Sequence, residues 1–218
     1  MGLNDPNILM LIDLAIDEDL KNGDITTNSI ISEDEIRSAE FLVKQNGIIA
    51  GLDIARFVMS KFDFKMNWNS IKNDGDFCTK DEVVAKVEAN YKSLLSAERT
   101  ALNFLQRMSG IATKTNKFVK QLEGLHTKIL DTRKTAPGHR LLDKYAVKMG
   151  GGENHRTGLY DMVLIKDNHI KLAGSITKAV SSIKHNLKGS FKIEVETSSL
   201  KEVGEALETG VDIIMFDN

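Results

Sequence analysis

The chain has 218 residues, 41% of them hydrophobic, and a formal net charge of −2 at pH 7. This length can bury a substantial core and allows one large domain or two small ones. Nucleic-acid-binding and membrane-surface proteins depend on a broad cationic field, which a slightly negative chain lacks, so neither kind of partner is expected.

Cysteine content and the first residues indicate the compartment. Cys78 is the single cysteine, which excludes an intrachain disulfide and a cysteine-rich zinc site. The amino terminus has no basic segment followed by an apolar one, and no apolar run approaches the roughly 18 residues of a membrane span. We therefore expect a cytoplasmic protein.

The first half of the chain predicts helices and a small sheet. Asp5-Pro6 is typical of a helix start, and Asn22-Gly23 of its end. Short apolar runs between residues 30 and 88, with a turn at Asn73-Asp74-Gly75, indicate strands. A helix is expected from about Ser93 to Gly110 and a second one to about Glu123. The first of these has an apolar stripe: Leu94, Ala97, Ala101, Leu105 and Met108.

After residue 124 the pattern alternates between strand and helix, which is typical of an α/β barrel or a doubly wound sheet. The predicted strands are TKIL, MVLI, FKIEV and VDIIMF, and the predicted helices are LLDKYAVKM, a segment near Ser175, and LKEVGEALE. Ser199 and Glu202 form a capping box for the last helix, and Gly210 ends it. We predict domains at residues 1–110 and 111–218.

The segment from Asp131 to Arg156 predicts an anion site. It combines arginines, lysines and histidines with a Pro-Gly turn and a triple glycine. Arginine forks suit carboxylate or phosphate, and glycine allows the backbone to approach a ligand closely. Because the chain as a whole is slightly negative, this local excess of cations favours a small anionic ligand.

Charged residues follow each predicted strand of the second half, where the loops of a barrel converge on one mouth. We expect a planar dianion to be bound by the cationic members, and Mg²⁺ or ribose hydroxyls by Glu196 and Asp217. The five histidines have no paired metal-ligand spacing, so zinc is not expected. The residues that follow strands are Thr132, Arg133, Lys134 and Lys166, and Arg156 with His155 beside it would join them by residue type.

Seven strings, in order along nearly the whole chain, resemble the quinolinate phosphoribosyltransferase family: EDLKNGDITT, ERTALNFLQRMSGIAT, DTRKTAPGHR, KYAVKMGGGENHR, DMVLIKDNHI, EVET and IIMFDN. The resemblance implies an α/β protein with an α+β sandwich domain followed by an open, TIM-like α/β barrel. It also implies an enzyme that makes nicotinate mononucleotide, CO₂ and pyrophosphate from quinolinate and phosphoribosyl pyrophosphate with Mg²⁺.

By the same resemblance, Arg133, Arg156 and Lys166 would bind the quinolinate carboxylates, with Thr132, Lys134 and His155 in the same pocket. Glu196 and Asp217 would hold the ribose and its metal. The resemblance assigns catalytic roles to four of these residues: Lys134, Lys166, Glu196 and Asp217. Arg99, which helical spacing alone would leave in solvent, would reach a neighbouring subunit of a homodimer or larger homo-oligomer.

The chain departs from the family pattern at its end. Asn218 follows the fourth predicted barrel strand, whereas family members continue with glycine-rich phosphate loops, so we expect a truncated barrel with an open edge at VDIIMF. Ala136 and His139 also differ from the family pattern.

Three alternatives stay open. The chain could be a quinolinate-binding module without turnover, or a related transferase associated with molybdate transport. It could also be a barrel lyase with Lys166 as its Schiff-base lysine.

Overall fold

The computed structural model describes residues 5–31 and 35–217. The chain divides into two compact units, residues 1–155 and residues 156–218. The chain is of the α/β class, as predicted. The division into units lies in a loop after helix α5 (Arg140–Met149), and the predicted domain boundary at residue 110 stays a prediction.

The first unit begins with two helices whose starts are set by aspartate caps. Helix α1 spans Pro6–Leu20, and the Asp5 carboxylate accepts a hydrogen bond from the Asn7 backbone N–H at 2.9 Å. Helix α2 spans Ile25–Ile30. Its cap, Asp24, accepts from the Thr27 N–H at 2.9 Å. The predicted first helix is therefore confirmed.

Two small antiparallel sheets follow, as the short apolar runs indicated. Strands β1 (Ile36–Leu42), β5 (Val83–Asn90) and β3 (Asn67–Ser70) form one sheet in the order β1-β5-β3. Strands β2 (Gly47–Ile48) and β4 (Phe77–Cys78) form the other. Helix α3 spans Leu52–Phe62.

Helix α4 is a single helix over Tyr91–Gln121, so the predicted interruption at Gly110 is wrong. Glycine weakens a helix by only about 1 kcal/mol, and burial of α4 on both sides of Gly110 offsets this cost: Met108 and Ala112 are each 0% exposed. All five residues of the predicted apolar stripe are buried in the core, which confirms the orientation of the helix.

The predicted strand TKIL is also wrong. Leu130 makes only an isolated parallel bridge with Glu153. The segment that pairs with Leu130 follows the glycine turn after α5, and Gly151 in that turn has a φ of +89°. The pairing on the far side of this turn is a single bridge and does not continue as a ladder.

The second unit contains a parallel sheet in the order β6-β7-β8. Its strands and helices alternate as predicted: β6 (Val163–Ile165), α6 (Asp167–Ala173), α7 (Ile176–Asn186), β7 (Ile193–Thr197), α8 (Leu200–Glu208) and β8 (Ile213–Phe216). A small core of this unit includes Ile165, Ile176 and Val195. Within the described residues β8 pairs only with β7, so it is an edge strand.

The Ser199 hydroxyl caps α8 by accepting from the Glu202 N–H at 3.2 Å. The second half of the predicted capping box differs, because the Glu202 carboxylate accepts from the Ser198 N–H at 2.7 Å. Across residues 5–31 and 35–217, no helix has the length and apolar character needed to cross a membrane.

Candidate active site

The loop that carries Thr132, Arg133 and Lys134 is held by local hydrogen bonds. Thr132 Oγ1 accepts from the Lys134 backbone N–H at 3.1 Å. Thr132 and Lys134 are exposed, whereas Arg133 is half-buried. In the part of the chain that is described, the buried Nε of Arg133 has no hydrogen-bond partner. A buried donor without a partner is costly, and a bound anion would supply the missing acceptor.

Arg140, at the start of α5, donates hydrogen bonds to this loop. Its Nε donates to Thr135 Oγ1 at 3.3 Å, and its Nη2 donates to the Arg133 carbonyl oxygen at 3.4 Å. Arg140 lies within the predicted anion-binding segment, but it was not among the predicted site residues. Its contacts assign it to loop structure, because a guanidinium has several donors that can fix a turn.

A buried ion pair between Asp131 and Lys144 lies behind the same loop. The Asp131 carboxylate also accepts from the His155 backbone N–H at 2.9 Å, and Lys144 Nζ donates to the His155 carbonyl at 2.9 Å. The backbone of His155 is therefore tied to the start of the Thr132–Lys134 segment. Neither Asp131 nor Lys144 was among the predicted site residues.

The triple glycine packs helices together. A Cβ added to Gly150 would lie 2.3 Å from the Ala112 carbonyl oxygen and 2.7 Å from Thr115 Cβ. Helix α5 therefore ends directly against α4, at a distance that only glycine permits. The sequence predicted that this glycine run allows the backbone to approach an anion closely. At Gly150 the backbone does approach another group closely, but that group is helix α4.

His139, one of the two departures from the family pattern, is half-buried at the start of α5. Its ring centroid lies 6.3 Å from that of Phe104, and in the described residues its buried Nδ1 has no hydrogen-bond partner. Burial lowers the pKa of His139, the nearby Arg107 lowers it further, and Asp143 opposes the shift. Arg107 itself forms a bidentate pair with Asp143, at 3.0 and 2.8 Å.

In the second unit, Arg156 is the most buried of the predicted site residues, at 9% exposure. Its Nη1 donates to the Met162 carbonyl at 3.3 Å. The turn that follows is organised by Asp161, whose carboxylate accepts from the Thr157 and Gly158 N–H groups at 2.7 and 3.0 Å. Burial alone would raise the pKa of Asp161, but these backbone hydrogen bonds outweigh it, and the net shift is downward.

Lys166 and Glu196 lie side by side at the carboxyl ends of β6 and β7. Ile165 is in register with Val195, so the next residues along the chain, Lys166 and Glu196, lie opposite each other. Lys166 Nζ lies 3.1 Å from Glu196 Oε2, close enough for an ion pair although outside hydrogen-bonding geometry. Glu196 was expected after its strand and lies inside β7, because pairing with β8 extends that strand to Thr197.

Asp217 follows β8, and its backbone N–H donates to the Thr197 carbonyl at 2.9 Å. Glu196 is in register with Met215. Side chains two residues apart on a strand share a face of the sheet. Asp217 therefore shares the face of Glu196 and Lys166, at the carboxyl end of the sheet.

Arg99 is exposed on α4. Its predicted approach to a neighbouring subunit stays a prediction. In the described ranges, no cluster of three or more His, Cys, Asp or Glu side chains could hold a metal ion. Magnesium commonly needs only one or two carboxylates together with water and substrate phosphates, so Glu196 and Asp217 suit a metal that arrives with its substrate.

A parallel sheet with paired cationic and acidic side chains at the carboxyl ends of its strands is typical of an α/β enzyme. Two family models divide the chain between them: the N-terminal domain of quinolinate phosphoribosyl transferase matches residues 24–109, and its C-terminal domain matches residues 111–218.

Curated relatives agree with this match. The chain is 46% identical over 201 residues to the probable nicotinate-nucleotide pyrophosphorylase (carboxylating) of Synechocystis sp., covering 92% of this chain and 68% of that protein. The identity with the Bacillus subtilis protein of the same name is 45%, covering 92% and 69%. The chain thus spans about two thirds of the length of these relatives.

Solved structures give the same result. NadC from Streptococcus pyogenes is 39% identical and superposes with a TM-score of 0.93, covering 97% of this chain and 75% of that one. The nicotinate-nucleotide pyrophosphorylase from Francisella tularensis is 41% identical with a TM-score of 0.93, covering 99% and 76%. The chain belongs to the quinolinate phosphoribosyltransferase family.

Proposed function

We propose that this chain transfers the phosphoribosyl group of phosphoribosyl pyrophosphate to quinolinate with loss of CO₂, giving nicotinate mononucleotide and pyrophosphate. The observation that carries the proposal is the match of both family domains along the chain, with 46% identity to a carboxylating nicotinate-nucleotide pyrophosphorylase. Charged side chains at the strand ends support it, since both substrates are anions.

Quinolinate would be bound through its two carboxylates. On the family resemblance, we assign this role to Arg133, Lys134, His155, Arg156 and Lys166. Support comes from the buried Nε of Arg133, which has no hydrogen-bond partner within the described residues, and from the burial of Arg156. Guanidinium groups favour carboxylates because two parallel hydrogen bonds form at once.

The ribose and pyrophosphate would lie near the acidic residues. Glu196 and Asp217 share one face at the carboxyl end of the sheet, where a carboxylate can stabilise positive charge that develops on the sugar carbon. The same two carboxylates would hold Mg²⁺, which offsets the negative charge of the departing pyrophosphate. We assign Lys166, 3.1 Å from Glu196, to the catalytic group together with Lys134.

The chemistry needs no covalent nucleophile. The pyridine nitrogen bonds to the sugar carbon while the bond from that carbon to pyrophosphate breaks. The ring nitrogen then carries a positive charge, so the ring accepts the electron pair released when the adjacent carboxylate leaves as CO₂, and a proton replaces it. The protein has to orient the carboxylate and exclude water. A Schiff-base role for Lys166 is disfavoured, because a nucleophilic lysine is usually desolvated and Lys166 is 48% exposed beside a carboxylate.

A direct assay tests the proposal. The chain is incubated with quinolinate, phosphoribosyl pyrophosphate and Mg²⁺, and nicotinate mononucleotide and CO₂ are measured together. Equal amounts of both products are expected. Calorimetric binding of quinolinate without product would support the binding-module alternative, and absence of both binding and product would overturn the proposal.

We also propose a homo-oligomer with Arg99 at its interface. The exposure of Arg99 supports this proposal, and sedimentation of the wild-type chain and of Arg99→Ala tests it.

A further inference from the structure

The ion pair between Asp131 and Lys144 is almost completely buried, with the two side chains 7% and 3% exposed. Removing two charges from water is expensive, and an apolar pair of similar volume is often as stable or more so. A buried ion pair is therefore weak evidence for a stabilising role. The contacts of this ion pair indicate a role other than stabilisation.

Both members of the pair bond to the backbone of one residue. The carboxylate of Asp131 accepts from the His155 N–H at 2.9 Å, and the ammonium of Lys144 donates to the His155 carbonyl at 2.9 Å. Asn154, with its amide nitrogen turned toward Asp131, donates to the second carboxylate oxygen at 2.8 Å. The His155 peptide groups are thus fixed on both sides.

The same aspartate fixes the other loop. The Asp131 N–H donates to the Glu153 carbonyl at 3.1 Å, and Arg133 lies two residues further along the chain. Asp131 therefore joins the backbone that leads to Arg133 to the backbone of His155, through its own N–H and through its carboxylate.

We propose that Asp131 and Lys144 are positioning residues that set the separation of Arg133 and His155 for quinolinate binding. This inference rests on the proposed function, because it assigns both loops to one substrate. The two carboxylates of quinolinate are rigidly attached to a flat ring, so a displacement of about 1 Å between the groups that bind them is costly.

The main test compares Lys144→Met with the wild-type chain in calorimetric titrations of quinolinate and, separately, of phosphoribosyl pyrophosphate. We expect the Kd for quinolinate to rise about tenfold or more, which corresponds to loss of roughly one charged hydrogen bond, while the Kd for phosphoribosyl pyrophosphate changes less than about twofold. If the pair has a purely structural role, the variant will have a lower melting temperature, but the ratio of its Kd values for the two substrates will equal that of the wild type.

Lys128→Met is a matched control. Lys128 forms an ion pair with Glu153 on the same two segments, but both side chains are exposed, at 66% and 51%. The Lys128→Met variant should bind quinolinate with the Kd of the wild type. Should Lys144→Met leave Asp131 unpaired and fail to fold, the double variant Asp131→Asn/Lys144→Met removes both buried charges and serves instead, with the same tenfold expectation.

The outcomes separate the two proposals. Wild-type binding of quinolinate with equal binding by the folded variants overturns the positioning role alone. Failure of the wild-type chain to bind quinolinate overturns the proposed function, and the positioning role with it.

Discussion

Lys166 Nζ lies 3.1 Å from Glu196 Oε2, across the carboxyl ends of two adjacent parallel strands. The pairing follows from the register of β6 and β7, since Ile165 lies opposite Val195 and the next residue of each chain segment carries the charge. Lys166 is 48% exposed and Glu196 19% exposed. The pair is thus open to ligand on the side of the ammonium group.

Glu196→Gln should lower turnover without unfolding the chain. The amide keeps the shape of the side chain but removes the negative charge that we assign to stabilising the sugar carbon. Loss of one electrostatic contact of this kind costs about 100-fold in kcat, measured as steady-state formation of nicotinate mononucleotide. Glu208→Gln, at the exposed end of α8, is the control and should keep wild-type activity. A kcat for Glu196→Gln within twofold of that control would exclude the assigned role.

Arg133→Ala and Arg156→Ala should each weaken quinolinate binding far more than binding of phosphoribosyl pyrophosphate. A hydrogen bond to a charged group is worth about 1.5–3 kcal/mol, so the Kd for quinolinate should rise at least tenfold. Calorimetric titration with each substrate measures both effects. Lys148→Ala removes an exposed cation from the same segment and should change neither Kd. Equal losses for the two substrates would contradict the assignment.

His139 should make the folded chain less stable at mildly acid pH. Burial and Arg107 lower its pKa in the folded state, below the ordinary value of about 6.5. The unfolded chain therefore binds the proton more readily, and stability falls as the pH decreases below about 6.5 toward the lowered folded value. Urea unfolding at several pH values between about 8 and 5 measures how steeply the free energy of unfolding depends on pH.

His139→Leu removes this group, so the part of the slope due to it should disappear. His126→Leu replaces an exposed histidine and is the control. If the wild-type chain and His139→Leu show the same pH dependence, titration of His139 contributes nothing to stability.

Gly150→Ala should destabilise the first unit, because the added Cβ would lie 2.3 Å from the Ala112 carbonyl oxygen. Overpacking of this kind costs about 1–3 kcal/mol, measured as the free energy of unfolding in urea. Gly110→Ala is the matched control, since nothing lies within 4 Å of its added Cβ and alanine favours the helix by about 1 kcal/mol. The two substitutions should therefore have opposite signs, and a shared sign would refute the packing explanation.

Local signals predicted those elements whose ends are set by neighbouring residues. Asp5 and Ser199 cap helices at the predicted positions, because a cap depends on side chains within one turn. The spacing of apolar residues also gave the buried face of α4. The TKIL strand failed for the complementary reason, since a ladder needs a partner strand whose length the local residues do not determine.

The charged residues divide in the same way. Lys166, Glu196 and Asp217 could be found because they lie at or near the carboxyl ends of strands in one parallel sheet. Asp131 and Lys144 could not, because a lysine on a polar-looking helix turn is typically solvated, and its burial depends on a carboxylate thirteen positions earlier in the chain. Arg133 was predicted to bind an anion, but its brace by Arg140 depends on the folded turn.

Helix α4 has 31 residues without interruption, so at 1.5 Å per residue it is about 46 Å long. It carries Arg99 in its first half and meets Gly150 through Ala112 and Thr115 in its second. Because successive residues differ by about 100° around a helix axis, inserting one residue between Arg99 and Ala112 would turn the arginine by that angle. The direction in which Arg99 projects is therefore set in phase with the packing of α5, through the number of residues between them.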